Sequence, residues 1–283
     1  MRMPTGQPPA LSTLRPSERE RQHASTSSPA PAAPLQSPLP PRYWPRPLVF
    51  LHIPKAGGST LQEYVLSHYP GGRFYRFTGD TKQWLDFPSL PEQERASLDV
   101  LVGHVHFGVH RFLPEPSTYM TMLRDPVDRV VSHYYYVLSD PKHYLYPIVA
   151  GRGYTLLEFA LTRVSHELDN DQVRWLTEPH HFDVERVDRS LLEEAKWNLE
   201  HGIAAFGLVE RFDESLRLFE SAFGWPRRQW SERKNVNRER PPLSEIDPAA
   251  LEVIREVNQF DAELYEFAKA LFEERAARSA LGA

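Results

Sequence analysis

Pro47-Leu-Val-Phe-Leu-His52, followed directly by Ile53-Pro-Lys-Ala-Gly-Gly-Ser-Thr60, is the stretch that decides the fold. The first half is too short for a helix and is rich in Val and Phe, which predicts a buried strand. Pro54, Gly57 and Gly58 interrupt this run, and the apolar residues that follow have helical spacing. The sequence therefore predicts a strand, a tight loop and the N-terminus of a helix. We call residues 53–60 the glycine loop.

The glycine loop has the chemistry of an anion-binding site. A helix N-terminus offers backbone N–H donors and the positive end of the helix dipole, and adjacent glycines let an anion approach the backbone. Ser59 and Thr60 add hydroxyl donors, and Lys55 adds a mobile positive charge. The NTPase motif instead places its lysine after the last glycine, followed by Ser or Thr for magnesium. We therefore expect a phosphate or sulfate site of another kind, with a loop that binds no ligand as the alternative.

The composition is that of a globular protein with one substantial α/β domain. The chain has 283 residues, of which 41% are hydrophobic and 25% charged. A net charge of −5 gives no reason to expect nucleic-acid binding, and the absence of cysteine excludes thiolate metal sites. No run approaches the ~18 apolar residues of a membrane span, and there is no apolar signal core at the N-terminus. We expect a soluble, cytoplasmic protein, and the sequence does not indicate its oligomeric state.

Residues 1–46 differ in composition from the rest of the chain. Nearly half of the 26 prolines lie in or next to this segment, together with many Ser, Ala, Thr and Gln residues. Such a segment buries too little apolar surface to offset the entropy of ordering it. We predict a disordered, proline-rich tail over residues 1–46 and a folded domain over residues 47–283.

Later apolar runs alternate with helical patterns. Three runs are predicted strands: Asp99–His104, Tyr119–Leu123 and His201–Val209. The aromatic segment Arg73–Phe77 has no clear period and is predicted to be irregular. The alternation predicts an α/β, P-loop-like, three-layer fold with a mainly parallel central sheet flanked by helices. Ligands of such sheets bind at the carboxyl ends of the strands, where the glycine loop, His104 and Arg124 all fall.

Arg124-Asp-Pro-Val-Asp-Arg-Val-Val-Ser132 is a second element with phosphate-binding chemistry. Arg124 can form a forked pair with a phosphate, and Ser132 on the following helix can donate a hydrogen bond. Together with the glycine loop, this element resembles the nucleotide site of sulfotransferases that use 3′-phosphoadenosine-5′-phosphosulfate (PAPS). The resemblance implies that the 5′-phosphosulfate and the 3′-phosphate are bound by Lys55, Ala56, Gly57, Gly58, Ser59, Thr60, Arg124 and Ser132.

The resemblance extends to the carbohydrate sulfotransferases, which include the Golgi 2-O and 6-O enzymes of heparan sulfate and bacterial relatives. Leu101–Gly108 resembles the element that carries their catalytic histidine, which implies His104 as the base and His106 as the reserve. Some 2-O enzymes have a second histidine where this chain has Val102. Further similar elements imply substrate contacts by His106, Asn170, Gln172 and Arg174, and nucleotide contacts by Asn237 and Arg238. A polar helix face without a substrate role is the alternative for Asn170, Gln172 and Arg174.

Each requirement of sulfuryl transfer has a candidate residue. An imidazole is suited to take a proton at neutral pH, and His104 is the predicted base. Lys55 and the loop N–H groups can stabilise charge on the leaving phosphate, while Arg124 and Ser132 hold the donor. No metal is required. We therefore expect a PAPS-dependent sulfotransferase of the EC 2.8.2 class that acts on an acceptor hydroxyl, most readily on a carbohydrate.

Two other functions stay open at this stage. A nucleotide-dependent phosphotransferase is disfavoured because the glycine loop has no Gly-Lys-Ser/Thr step. A nucleotide-binding module without catalysis would keep the same phosphate-binding residues and differ only in the role of His104.

Overall fold

The computed structural model of the chain describes residues 47–178, 186–228 and 240–281. The predicted tail, residues 1–46, and the predicted nucleotide contacts Asn237 and Arg238 lie outside these ranges. Within the described ranges, no helix combines the length and apolar character needed to cross a bilayer.

The centre of the fold is a five-stranded sheet in which every strand pair is parallel. The strands are β1 Leu48–Leu51, β2 Phe74–Phe77, β3 Val100–Gly103, β4 Thr118–Leu123 and β5 Ile203–Leu208. Their order in the sheet is β2-β3-β1-β4-β5. Strand β1 therefore lies between β3 and β4, and the segments that follow these three strands meet at one edge of the sheet.

Helices cover both faces of the sheet. They are α1 Gly58–Ser67, α2 Thr81–Asp86, α3 Glu92–Ala96, α4 Pro126–Ser139, α5 Tyr146–Val149, α6 Leu156–Thr162, α7 Asp171–Trp175, α8 Arg189–Trp197, α9 Phe212–Phe223, α10 Pro248–Val257 and α11 Gln259–Leu281. In β1, Leu48 and Phe50 pack in one hydrophobic cluster with α1 and α9, while Val49 and Leu51 pack in another with α8 and α11. This alternation confirms the predicted three-layer α/β fold.

A third hydrophobic cluster joins helices beside the sheet. It brings together α4, α5, α6 and α10 through residues such as Val130, Val149, Phe159 and Ile254. Helix α4 begins at Pro126, and the Asp125 side chain caps it by accepting a hydrogen bond from the Asp128 N–H. This cluster fixes the helix that follows Arg124.

The prediction that Arg73–Phe77 is irregular is wrong, because Phe74–Phe77 forms strand β2. It pairs with β3 at the edge of the sheet, and of its four residues Phe77 alone is buried. An edge strand with little burial has no reason to show a continuous apolar run. The pairing with β3 therefore decides this strand.

Three buried polar residues join α7 to the junction of α10 and α11. We call Asn170, Asn258 and Asp261 the polar clamp. The Asn170 Oδ1 accepts hydrogen bonds from the backbone N–H groups of Phe260 (2.8 Å) and Asp261 (2.9 Å). The backbone N–H of Asn170 donates to Asn258 Oδ1. In return, the Asp261 carboxylate accepts from the N–H groups at the start of α7. The clamp satisfies helix-end donors that would otherwise be buried without partners.

Replacing Asn170 tests the polar clamp. Asn170→Ala removes the acceptor of two buried N–H groups, at about 1–3 kcal/mol for each unsatisfied group, so we expect a loss of at least ~2 kcal/mol in the free energy of unfolding. Urea denaturation followed by circular dichroism measures it. Asn170→Gly is the matched variant, because Asn170 has φ 49° and glycine tolerates this conformation without strain. Equal stability of wild type and both variants would contradict the clamp.

Candidate functional site

The glycine loop leaves the centre of the sheet and runs into α1. Two of its residues have left-handed backbone conformations, Lys55 with φ 65° and Gly57 with φ 70°. A left-handed conformation in a residue other than glycine costs about 1–3 kcal/mol, and such residues cluster at active sites and ligand-binding segments. Gly58 lets the loop backbone lie close to the His52 ring, since a Cβ atom at residue 58 would be 1.8 Å from that ring. The loop conformation therefore requires glycine at residues 57 and 58.

The N-terminus of α1 suits an anion. Its N-cap, Gly57, provides no side-chain cap, and there is no acidic residue in the first turn. The first intrahelical hydrogen bond is donated by Leu61 to the Gly57 carbonyl, so the N–H groups of Gly58 and Ser59 precede it. Helix-start N–H groups and the helix dipole favour negative charge at this position.

Lys55 lies at the loop with its ammonium group over an aromatic ring. Its Nζ is 3.6 Å from the centre of the Tyr136 ring, a cation–π contact. Burial, and then the nearby Arg124, lower the pKa of Lys55 to about 8. Lys55 is thus positively charged at neutral pH, but less strongly hydrated than a surface lysine.

Arg124 connects the end of β4 to the glycine loop. Its Nη1 donates to the Lys55 carbonyl at 2.9 Å, and its Nε donates to Asp128 Oδ2 at 2.7 Å. The Gln172 side chain holds the Arg124 backbone on both sides, accepting from its N–H at 2.9 Å and donating to its carbonyl at 2.8 Å. The two elements predicted to bind the donor are therefore in direct contact.

Asp128 lies between two arginines at this position. Its carboxylate pairs with Arg124 and also with Arg240. Burial opposes its ionisation, but the two guanidinium groups hold the pKa of Asp128 below its usual value. Ser132 is half-buried in the second turn of the same helix, α4. Three positive side chains, those of Lys55, Arg124 and Arg240, thus gather around the loop and the start of α4.

His104 follows β3 and faces the same edge of the sheet. Its Nδ1 is 3.2 Å from the His52 carbonyl oxygen, and its ring stacks on the His52 ring with centroids 4.7 Å apart. A carbonyl only accepts, so Nδ1 carries the proton and Nε2 keeps its lone pair. Burial lowers the pKa of His104, opposed by this hydrogen bond, so the ring is neutral and can accept a proton.

The four predicted substrate contacts are buried. Exposed fractions are 3% for His106, 3% for Asn170, 0% for Gln172 and 4% for Arg174. His106 stacks on Trp175 with ring centroids 3.6 Å apart. Asn170 belongs to the polar clamp, Gln172 holds Arg124, and Arg174 Nε donates to the Asp169 carbonyl. The geometry gives these side chains internal partners and does not support direct contacts with an acceptor.

Sequence reasoning missed the role of Asp128 and two long-range contacts of this site, those of Arg240 with Asp128 and of Tyr136 with Lys55. Asp128 has a local signal, because it lies four residues after Arg124 in a helical segment, a spacing that brings opposite charges together. Arg240 and Tyr136 have no such signal, since only the tertiary fold brings them to Asp128 and Lys55. Within the described ranges, no group of three or more His, Asp and Glu side chains is arranged to hold a metal ion.

Comparisons with known proteins agree with this geometry. The chain is 28% identical to heparan-sulfate 6-O-sulfotransferase 3 of Mus musculus, over 81% of this chain and 58% of that protein. It is 31% identical to heparan-sulfate 6-O-sulfotransferase 1 of Cricetulus griseus, over 81% of this chain and 67% of that protein. The human 6-O-sulfotransferase 1 is 27% identical over 81% of this chain and 66% of its own length.

The chain spans about three-fifths of the length of the first of these relatives. The model of the sulfotransferase family matches residues 45–268. This match includes β1 with the glycine loop, β3 with His104 and β4 with Arg124. Because one family model covers all three segments that meet at the edge of the sheet, the chain belongs to the sulfotransferase family.

Proposed function

We propose that this chain transfers a sulfuryl group from PAPS to a hydroxyl of a saccharide. The observation that carries the proposal is the hydrogen bond from Arg124 to the Lys55 carbonyl, since it joins the two phosphate-binding elements into one site. The glycine loop would bind the 5′-phosphosulfate, and Arg124 and Ser132 would bind the 3′-phosphate. The saccharide acceptor is supported by the relatives, which are named for heparan sulfate.

The residues present fit such a donor. The α1 N-terminus and Lys55 provide donors and positive charge at one end, and Arg124 with Arg240 provides a second positive centre. In this structure the Asp128 carboxylate pairs with Arg124 and Arg240 at the second positive centre. A phosphate is likewise an anion with acceptor oxygens, so the same two arginines suit it. PAPS would supply an activated sulfuryl group.

His104 and Lys55 would divide the remaining chemistry. His104 Nε2 would take the proton of the acceptor hydroxyl, which makes the oxygen a better nucleophile. Lys55 and the loop N–H groups would neutralise the negative charge that develops on the departing phosphate. The stacking on His52 and the bond to its carbonyl orient the His104 ring for this role.

Substitution of Arg124 tests whether the site binds the proposed donor PAPS. Arg124→Lys keeps the positive charge but removes the paired N–H donors of the guanidinium group. We therefore expect the affinity for the product 3′-phosphoadenosine-5′-phosphate (PAP) to fall at least tenfold. Thermal shift and calorimetric titration measure it, with ADP and ATP compared in the presence of EDTA. Arg255→Ala, an exposed arginine on α10, is the control and should bind PAP as wild type does. Equal binding of PAP, ADP and ATP by wild type would exclude the proposed donor.

His104 separates an enzyme from a nucleotide-binding module. His104→Ala should lower kcat by about 10²–10⁴-fold, the usual contribution of a general base, and leave PAP affinity nearly unchanged. His201→Ala replaces a histidine that is 51% exposed and lies four residues after the end of α8, so this variant should have wild-type activity. Turnover that persists in the His104 variant would rule out its assignment as the base.

The pH dependence of kcat/KM should be bell-shaped. His104 must be neutral, and its pKa is lowered below the usual 6.5, so activity should fall only as the pH drops through a value below 6.5. Lys55 must be protonated, so activity should also fall as the pH rises above about 8. Lys55→Arg should move the alkaline limb to higher pH while leaving the acid limb in place. An alkaline limb that is unchanged in this variant would mean that Lys55 does not cause it.

A further inference from the structure

An aromatic surface borders Lys55. Tyr136 lies under the Lys55 ammonium group and is 37% exposed. His143 packs edge-on against Tyr136 with ring centroids 5.5 Å apart, and Tyr144 stacks on His143 at 4.8 Å. We call Tyr136, His143 and Tyr144 the aromatic platform. Its rings form a continuous path that leads away from Lys55.

The platform is held in place although its rings are open to solvent. Tyr144 is 59% exposed, yet its hydroxyl donates to Glu167 Oε1 at 3.0 Å and lies 2.9 Å from Ser165 Oγ. The other oxygen of Glu167 pairs with His133 Nε2 on α4 at 3.0 Å. Large rings that stay exposed while their orientation is fixed gain little from folding, which indicates a surface for a ligand.

Glu167 places a negative charge at the Tyr144 end of the platform. Burial opposes the ionisation of Glu167, but hydrogen bonds from His133 and Tyr144 lower its pKa to about 2, so it is an anion at neutral pH. Asp140, which accepts a hydrogen bond from the Tyr136 hydroxyl, has exposed Lys142 as a neighbour of opposite charge. The Tyr144 end of the platform therefore carries the negative charge of Glu167, whereas the Tyr136 end carries the positive charge of Lys55.

The cations described near this edge of the sheet face the donor. Arg124 is bonded to the glycine loop, and Arg240 to Asp128 at the start of α4. Lys55 lies between the glycine loop and the aromatic platform, with its ammonium group over the Tyr136 ring. A polyanionic acceptor on the platform would meet Glu167, and like charges brought together cost affinity.

We propose that the aromatic platform binds the acceptor and that the part of the acceptor bound there is an uncharged saccharide. This inference rests on the proposed sulfotransferase function. The C–H faces of a sugar ring pack on aromatic rings, and its hydroxyls donate to a carboxylate, which only accepts. The contact of Tyr136 with Lys55 places a sugar on the platform next to the residue that would stabilise the leaving group.

The charge of the acceptor is tested by matched oligosaccharides. Titration calorimetry on the full chain with PAP bound compares chitin-derived and cellulose-derived pentasaccharides, which are uncharged, with a heparosan-derived oligosaccharide of similar length, which carries carboxylates. We expect the uncharged pentasaccharides to bind at least tenfold more tightly at low salt. Added salt should narrow the difference, because ions screen the repulsion from Glu167. Tighter binding of the heparosan oligosaccharide would overturn the inference.

The platform itself is tested by substitution. Tyr144→Ala should raise the Kd for the better uncharged pentasaccharide, and its KM in turnover with PAPS, about tenfold, while Tyr144→Phe should keep most of the affinity. Trp197→Ala is the matched control, since Trp197 is also 59% exposed but stacks on His201 at the end of α8. Equal changes in Kd and KM for Tyr144→Ala and Trp197→Ala would overturn the inference that the platform binds the acceptor.

The PAP titration separates this inference from the proposed function. Intact PAP binding without saccharide binding would overturn the platform alone. A wild-type chain that binds neither PAP nor any of the oligosaccharides would contradict both.

Discussion

The site depends on the hydrogen bonds with which Gln172 holds the backbone of Arg124. Gln172 accepts from the Arg124 N–H and donates to its carbonyl, so the residue after β4 is fixed from outside the sheet. Gln172 is fixed in turn by Asp261, which accepts its backbone N–H. The position of Arg124, and through it the glycine loop, therefore depends on the α10–α11 junction.

This dependence changes the role of the segment after residue 166. Its polar residues resemble an acceptor-binding helix, but in the fold they connect the C-terminal helices to the donor site. Asn170, Gln172 and Arg174 satisfy buried backbone groups, which a saccharide cannot reach. The proposed acceptor surface, the aromatic platform, is instead built from exposed rings that follow or belong to α4. In this proposal, support for the donor and contact with the acceptor come from different segments.

The electrostatics of the site balance attraction for a phosphate against repulsion among cations. Lys55, Arg124 and Arg240 gather near one edge of the sheet, and Asp128 offsets part of their charge. The Asp128 side chain, which is 23% exposed, already bridges the two guanidinium groups before any ligand binds. An incoming phosphate would have to compete with Asp128, which couples donor affinity to the position of the Arg240 side chain.

Local patterns predicted much of this molecule. The β1 run, the glycine loop and the start of α1 are confirmed, because short-range sterics and the left-handed conformation at Gly57 decide them. Asp125 as the cap and Pro126 as the first residue likewise define the start of α4. These features depend on residues close in sequence, and sequence patterns report such features directly.

What only the tertiary structure decided involves residues far apart in the chain. Edge strand β2 has little burial of its own and exists through pairing with β3. The internal role of Gln172 needs Arg124, and the contact between Lys55 and Tyr136 needs α4 to pack beside the glycine loop. The sequence by itself determined four of the five strands, the loop and the phosphate-binding residue types. Tertiary packing decided which polar side chains are buried as supports and which rings stay open to a ligand, because burial depends on distant partners.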